Sequence, residues 1–323
     1  EISRSDWSSD VCSSDLGVNA SAAPFYSNAS SAYENIINLK NTNKGYSYAL
    51  SAQLEKYFDF GLDVAASYTY GRSRSVNDGT SSVAYSNWKY NYSRDTNGPG
   101  EMGYSKFDIP HRVMVRLNYN SPKYCQGWLS TSVGIVYTGT SGGRYSLTMN
   151  EKDDFNGDGW RGNNLLYIPT KDELSKMNFI ASTDKKGNVT TADQARQLFE
   201  DWIQGNSYAR THRGQYAERN SCMTDWENNI DLHFGQSIHL KNLVRLEFTL
   251  DVINFTNMLN KRWGTTYGNA YNVSPIMVNK IVTTGAAGNI VAEPSYTYNP
   301  NANPTPSDIA SRWHMQLGFR IAF

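Results

Sequence analysis

One segment of the chain has the spacing of a calcium-binding loop. It places three side-chain oxygens at alternate positions ahead of a glycine that permits a sharp turn, at Asp154, Asn156, Asp158 and Gly159. A hard cation such as Ca²⁺ takes oxygen ligands in this arrangement, with a backbone carbonyl at the seventh position, which is Trp160. Leu165 replaces the bidentate glutamate of an EF-hand, so we predict a weak Ca²⁺ site. The alternative is a loop of Asx turns without an ion.

The histidines do not form a catalytic pattern. His111, His212 and His314 each lack a second histidine at metal-ligand spacing, and no nucleophile elbow or phosphate-binding glycine loop occurs. We interpret these three residues as polar loop or lumen side chains. The sequence therefore predicts that the chain is not an enzyme and has no cofactor other than the candidate Ca²⁺.

Aromatic residues make up 13% of the chain, with 22 Tyr and 8 Trp. Some of them lie in long polar segments, where a flat ring could contact a ligand, and these candidates are Trp160, Tyr167, Trp202 and Tyr216. Others fall at the ends of predicted strands, as in the interfacial girdle of a membrane protein, namely Tyr46, Tyr119, Trp226 and Trp313.

The elements that position these residues are strands. Apolar residues alternate with polar ones in paired runs, which begin near residues 46, 62, 113, 129, 230, 244 and 313. Short turns near 58–60, 121–127 and 239–243 alternate with long polar segments near 74–108, 149–223 and 257–308. We therefore predict an all-β fold, an antiparallel up-and-down transmembrane β-barrel with tight turns at one end and long extracellular loops at the other. It is incomplete, with roughly seven to nine strands, and its loops carry short helices.

Composition agrees with this class. No run of about 18 apolar residues occurs, which excludes a helical membrane protein. The mean hydropathy of -0.58 is compatible with a barrel, because only alternate residues of each strand face lipid. The formal net charge of +0 gives no support to nucleic-acid binding. Cys125 and Cys222 are predicted at opposite ends of the barrel, too far apart for a disulfide.

The alternation also assigns the two faces of the sheet. We predict that the apolar set shares one outward face, and this set is Val113, Leu117, Leu246, Phe248, Leu317 and Phe319. The polar set faces the lumen, and it is Arg116, Arg245, Glu247 and Arg320. In the long segments, a capping box at 191–194 predicts a short surface helix ending before Gly205. Residues 296–309, rich in Asn and Pro, predict an irregular loop.

The first residues need a separate explanation. Residues 6–16 read DWSSDVCSSDL, which resembles an in-frame translation of a common sequencing-adapter oligonucleotide. We therefore interpret residues 1–16 as an assembly artefact and exclude them from fold reasoning. A polar native linker is the alternative. Residues 17–323 then form one unit.

Several segments resemble, in order, the barrel of TonB-dependent receptors, most closely the Oar-like subgroup of Bacteroidota. They are NTNKGYSYALSAQLEKYF (41–58), ASYTYGRSRSVNDGTSS (66–82), SKFDIPHRV (105–113), DFNGDGWRGNNLLYIP (154–169), RGQYAERNS (213–221), LDVINFTNMLNKRWG (250–264) and RWHMQLGFRIAF (312–323). The last strand, with its final Phe323, is similar to the signal that the barrel-assembly machinery reads. The resemblance implies that residues 17–323 are the C-terminal portion of such a barrel, without its plug domain and N-terminal strands.

The resemblance also implies a function and its partners. A scarce, bulky ligand would be taken up across the outer membrane through a plugged barrel, with TonB and an inner-membrane energy complex acting on the missing plug. The C-terminus would be periplasmic, and outer-membrane lipid and a surface lipoprotein would be further partners. Two alternatives stay open. One is a plugless outer-membrane porin or adhesin barrel. The other is a soluble calcium-dependent carbohydrate-binding β-protein, which would bury the apolar face of its strands and have no aromatic girdle.

Overall fold

The computed structural model describes residues 37–94, 96, 100–151, 160–240, 243–268, 272–284 and 290–323, together with three short strands nearer the N-terminus. Together with the strand Ile37–Leu39 they form two small pairs. Ile2–Arg4 pairs with Ile37–Leu39, and Gly17–Val18 pairs with Pro24–Phe25.

Seven long strands form one antiparallel sheet. They are β1 (Tyr46–Tyr57), β2 (Leu62–Ser75), β3 (His111–Asn120), β4 (Leu129–Thr140), β5 (Glu227–Leu240), β6 (Val244–Ile253) and β7 (His314–Ala322). Each pairs with its neighbour in sequence, so the sheet is an up-and-down meander with β1 and β7 at its edges. With 9 to 14 residues, each strand is long enough to cross the hydrocarbon core of a bilayer.

The connections alternate in length as the sequence predicts. Short turns join β1 to β2, β3 to β4 and β5 to β6 at one end of the sheet. Gly61 closes the first of these turns with a φ of 97°, and a Cβ there would overlap the carbonyl of Asn120. The long connections 76–110, 141–226 and 254–313 all lie at the opposite end, and the C-terminus lies at the short-turn end. We call the described parts of the three long connections the cap.

The register places most of the apolar residues of the seven strands on one face. One row of cross-strand partners runs Leu62, Tyr119, Val133, Phe234, Leu250 and Leu317. The predicted apolar set is confirmed to share this face, and the predicted polar set shares the other. The apolar face is not packed into a core. Leu317 is 80% exposed and Phe319 58%, which is not the buried face that the soluble alternative requires.

The cap contains short strands and six helices among its described residues. Its strands are Gly103–Tyr104, Arg144–Leu147, Asn150–Glu151, Tyr167–Ile168, Ser182–Thr183, Val189–Thr190, Gln215–Tyr216, Cys222–Met223, Asn272–Val273, Ile276–Thr284 and Ile290–Tyr298. Its helices are α1 (Ala84–Lys89), α2 (Lys171–Lys176), α3 (Ala192–Gly205), α4 (Ser207–Thr211), α5 (Phe255–Leu259) and α6 (Asp308–Ser311). No helix in the described part of the chain is both long and apolar enough to span a membrane.

The cap has a hydrophobic core of its own, built from the second and third long connections. Leu147, Phe199, Ile203 and Val278 are each fully buried in it. Strand Arg144–Leu147 pairs with both Cys222–Met223 and Asn272–Val273, so the two connections share one small sheet. The long connections are thus a compact folded layer rather than loose loops.

Helix α3 confirms the predicted capping box. The Thr191 hydroxyl accepts from the backbone N–H of Gln194, and the Gln194 side chain accepts from the N–H of Thr191. The helix is not purely a surface element, because Ala195, Phe199, Trp202 and Ile203 are buried. The irregular loop predicted for 296–309 is wrong at both ends, where Tyr296 and Tyr298 belong to a paired strand and α6 begins at Asp308. The buried strand partners Ile276 and Val278 override the local Asn and Pro composition.

Candidate functional site

A buried carboxylate joins the cap to the strand ends. Asp108 lies just before β3, and its side chain is fully inaccessible to solvent. It accepts hydrogen bonds from the backbone N–H of Ser73 at 2.6 Å and from Nε and Nη2 of Arg144 at 2.8 and 2.6 Å. Arg72 approaches the same carboxylate at 3.6 Å. Asp108 therefore ties the end of β2 to a core strand of the cap.

A buried arginine makes a second tie. The Arg219 guanidinium donates to the carbonyls of Ser75 and Val76 and to the side chain of Asn91. The next residue, Asn220, has a φ of 55° and donates from Nδ2 to the carbonyl of Tyr104 at 2.8 Å. Burial lowers the pKa of Arg219 below its ordinary value. These contacts connect the second long connection to the first.

An ion pair braces the cap from inside the second connection. Nη2 of Arg213 donates to both carboxylate oxygens of Glu200, at 2.7 and 2.9 Å, and Nη1 donates to the carbonyl of Pro169. Partial burial raises the pKa of Glu200, but hydrogen bonds from Gln204 and Arg213 outweigh it and leave the pKa below its ordinary value. The pair therefore stabilises helix α3 above the ordinary glutamate pKa, and this contribution is lost as the pH falls through the lowered pKa.

An asparagine in the left-handed conformation begins the third connection. Asn254 has a φ of 56° and follows β6 directly. Its N–H donates to Asp231 at 2.8 Å, and its Nδ2 donates to the carbonyls of Gly264 and Ser311 at 2.7 and 2.8 Å. Gly264 has a φ of 58°, and a Cβ there would overlap the Asn254 carboxamide. This network closes the loop between β6 and β7 onto the end of β5.

The four aromatic candidates for ligand contact lie in different surroundings. Trp160 is 42% exposed and meets Tyr90 edge to face, with ring centroids 4.9 Å apart. Tyr167 and Tyr216 pair across two short strands, and both are partly exposed. Trp202 is only 8% exposed, and its indole N–H donates to the carbonyl of Ala302. Trp202 is therefore a core residue, and ligand contact stays a prediction for the other three.

Asp154, Asn156 and Asp158 lie outside the described residues, so their geometry stays a prediction. Within the part of the chain that the structure describes, no group of three or more His, Cys, Asp or Glu side chains could hold a metal ion.

The cap carries two open clefts on either side of Tyr267. The first has a volume of about 400 Å³ and is lined mainly by neutral polar side chains, which include Asn150, Asn272, Asn299, Asn301 and Asn303. The second has a volume of about 480 Å³ and includes charged side chains, namely Asp225, Lys261, Arg262 and Asp308. Neither cleft was predicted from the sequence. The alternate asparagines at 299, 301 and 303 were the available signal.

The polar face of the sheet also carries paired charges. His233 on β5 and Asp251 on β6 are partners, with Nδ1 and Oδ1 2.6 Å apart. Arg245 and Glu247 lie 3.7 Å apart on the same face. This face suits contact with water or another polar surface rather than lipid.

Aromatic rings mark both ends of the apolar face. At the cap end, Tyr48, Tyr70, His111 and Trp226 form a chain of neighbouring rings with centroids 5.4 to 6.3 Å apart. At the short-turn end lie Phe58, Phe60, Tyr119, Tyr124 and Trp128, all of them exposed. Between His111 and Tyr119 the strand advances by roughly 26 Å along its own axis, or about 20 Å along the membrane normal at the 35–45° tilt of barrel strands, which is most of the apolar band of an outer-membrane barrel. Phe323 is fully exposed at the end of β7.

Cys125 and Cys222 lie apart, as predicted. Cys125 is exposed in the turn between β3 and β4, and Cys222 is buried in the cap, and both are free. Burial raises the pKa of the Cys222 thiol to about 11, so this side chain is an inert core residue.

An up-and-down antiparallel sheet with an exposed apolar face, aromatic belts and short turns at one end is the wall of a membrane-spanning β-barrel. A family model described as outer membrane beta barrel domain matches residues 9–312. The match covers most of the chain, and the chain therefore belongs to this family, whose place is the outer membrane. A search of curated proteins finds no match.

The lipid-facing assignment predicts unequal effects of the same substitution at neighbouring positions of β7. Leu317→Arg places a charge on the apolar face and should cost about 2–4 kcal/mol near the bilayer midplane. Gln316→Arg points to the polar face, beside Asp251 in the register, and should change stability by no more than about 0.5 kcal/mol. Urea unfolding of the full-length protein in lipid vesicles measures both values. Equal losses would contradict the assignment of the faces.

Proposed function

We propose that the chain is the C-terminal portion of a TonB-dependent receptor, which takes up a scarce, bulky ligand across the outer membrane with energy from the inner membrane. The observation that carries this proposal is the folded cap. A wide mouth for general diffusion needs no ordered layer over the strand ends, whereas a receptor needs a fixed surface that recognises one ligand.

The residues that tie the cap down give further support. Asp108, Arg219 and Asn254 lie in the segments 105–113, 213–221 and 250–264, which resemble TonB-dependent receptors of the Oar-like subgroup in Bacteroidota. Each residue has a defined structural task in fixing the cap on the strands. The resemblance therefore covers positions where this fold needs those side chains.

In the proposed receptor, the cap makes the first contacts with ligand, and Trp160, Tyr167 and Tyr216 are candidates for those contacts. The polar face of the sheet lines the path once a plug domain moves.

The short-turn end and Phe323 face the periplasm, where the assembly machinery reads the last strand. A surface lipoprotein that covers the cap is a further proposed partner. Calcium at Asp154, Asn156 and Asp158 would order the segment beside Trp160.

A plugless porin or adhesin is the alternative, and the charged polar face of the sheet also fits a water-filled channel. Two measurements on the purified full-length protein separate these functions. A TonB-dependent receptor should bind the periplasmic domain of TonB in a pull-down and show no steady conductance in a planar bilayer. A steady ohmic conductance without TonB binding would contradict the proposal and support the porin.

A further inference from the structure

The neutral cleft of the cap has an unusual lining. Five asparagines surround it, and they come from three separate parts of the chain: Asn150, Asn272 and the alternate residues Asn299, Asn301 and Asn303. Ser274 and Thr305 add hydroxyl groups. No Asp, Glu, Lys or Arg is among the described residues that line it. A carboxamide offers two donor hydrogens and an acceptor oxygen. Asn272 and Asn299 already donate from Nδ2 within the cap, to Thr148 and to Ser274, so the exposed Asn301 and Asn303 are the side chains best placed to bond a ligand.

The cleft is held in shape by the core beneath it. The N–H of Asn299 donates to the carbonyl of Pro275 at 2.8 Å, and its Nδ2 donates to the carbonyl of Ser274 at 2.9 Å. Its Oδ1 accepts from the N–H of Asn301, which fixes the turn that presents Asn301 and Asn303 to solvent. Ala302, between them, is buried and accepts from Trp202. A preorganised turn reduces the ordering cost of binding.

Tyr267 forms a rigid aromatic wall of the cleft. Its hydroxyl donates to Asp225 at 2.6 Å, and its N–H donates to Glu227 at 3.0 Å. The hydrogen bond to Asp225, aided by partial burial, raises the pKa of Tyr267 to about 12, so the hydroxyl stays protonated at neutral pH. The carboxylate is therefore occupied by the tyrosine and not directed into the neutral cleft.

We propose that this cleft binds a neutral, multiply hydroxylated ligand, a segment of an uncharged glycan, and this proposal deepens the proposed function by naming its ligand class. Sugar hydroxyls donate and accept in the way that asparagine side chains do, and a fixed tyrosine ring offers a surface for the apolar face of a sugar. An ionic ligand would leave its charge without a partner here. A peptide would need apolar anchor pockets, but among the described lining residues the aliphatic side chains are the buried Val273 and Ala302 and the half-buried Pro304.

The test uses the purified full-length receptor in detergent and needs no TonB. Isothermal titration compares the parent with the double variant Asn301→Ala, Asn303→Ala. The neutral probes are maltohexaose, cellohexaose and xylohexaose. Polygalacturonate and a hexa-alanine peptide serve as contrasts. We expect one or more neutral oligosaccharides to bind, and the double variant to raise its Kd by about tenfold or more, which corresponds to the loss of about two hydrogen bonds.

Matched controls separate the cleft from the rest of the cap. Asn178→Ala removes an exposed asparagine outside both clefts and should leave the Kd unchanged, as should Lys261→Ala in the charged cleft. Overturning results are the absence of neutral-oligosaccharide binding, an unaltered Kd in the double variant, or preferential binding of the charged polymer or the peptide. Because binding is measured without TonB, failure of energised transport and failure of glycan recognition give different results.

Discussion

Asp108→Ala should release the cap from the strand ends. The substitution leaves Arg144, whose side chain is only 5% exposed, without its carboxylate partner, and it removes the acceptor of the Ser73 N–H. Removing one member of a buried ion pair typically costs about 3–5 kcal/mol. We expect this loss to appear in the cap, since the seven-stranded sheet does not depend on Asp108 for its register. Hydrogen exchange of the full-length protein should show faster exchange in strands 103–104, 144–147 and 222–223.

The matched control for that variant is Asp193→Ala. Asp193 also pairs with an arginine, Arg196 at 2.7 Å, but its side chain is 93% exposed. An exposed pair of this kind contributes at most about 1 kcal/mol, and its removal should leave exchange in the same strands unchanged. Normal protection of strand 144–147 in Asp108→Ala would contradict the role assigned to the buried carboxylate.

Phe199→Ala should unfold much of the cap while the sheet remains. Phe199 is fully buried on helix α3, and its ring lies 6.1 Å from both Phe179 and Trp202 between centroids. Deleting a buried phenylalanine side chain costs about 3–5 kcal/mol, because the surrounding core only partly fills the cavity. Limited proteolysis should cut the variant within residues 171–211 at a protease concentration that leaves the parent intact.

The neighbouring residue supplies the control. Leu198 lies on the same helix but is 41% exposed and outside the core, so Leu198→Ala should resist proteolysis nearly as well as the parent. Similar cleavage of the two variants would mean that α3 is not packed on a common core, and the description of the cap as one folded layer would then be wrong.

The membrane sheet could be predicted from the sequence because its signals are local. Alternation in runs such as Val244–Ile253 has a period of two residues, and the turn that contains Gly61 needs a residue that tolerates positive φ. The capping box at Thr191 is equally local. Each of these features depends on only a few neighbouring residues.

The cap could not be predicted in the same way, since its contacts join distant residues. The pair Asp108–Arg144 spans 36 positions and the hydrogen bond from Trp202 to Ala302 spans 100. Trp202 looked like a ligand contact because an aromatic residue in a polar segment has the same local pattern whether it faces solvent or core. The asparagine cleft was missed for the same reason, because Asn150 and Asn272 are remote in sequence from residues 299–303.

The proposed topology places the cap on the outer surface of the outer membrane and the short turns on its periplasmic side. Two variants of the full-length protein test this topology, and any cysteine outside residues 17–323 is replaced by serine in both. The first keeps the native, exposed Cys125, and the second combines Cys125→Ser with Asp193→Cys on the cap, while Cys222 is buried in both. A maleimide attached to a polyethylene glycol chain too large for general porins should label residue 193 on intact cells. It should label Cys125 only after the outer membrane is permeabilised. Labelling of Cys125 on intact cells, with residue 193 protected, would contradict the account.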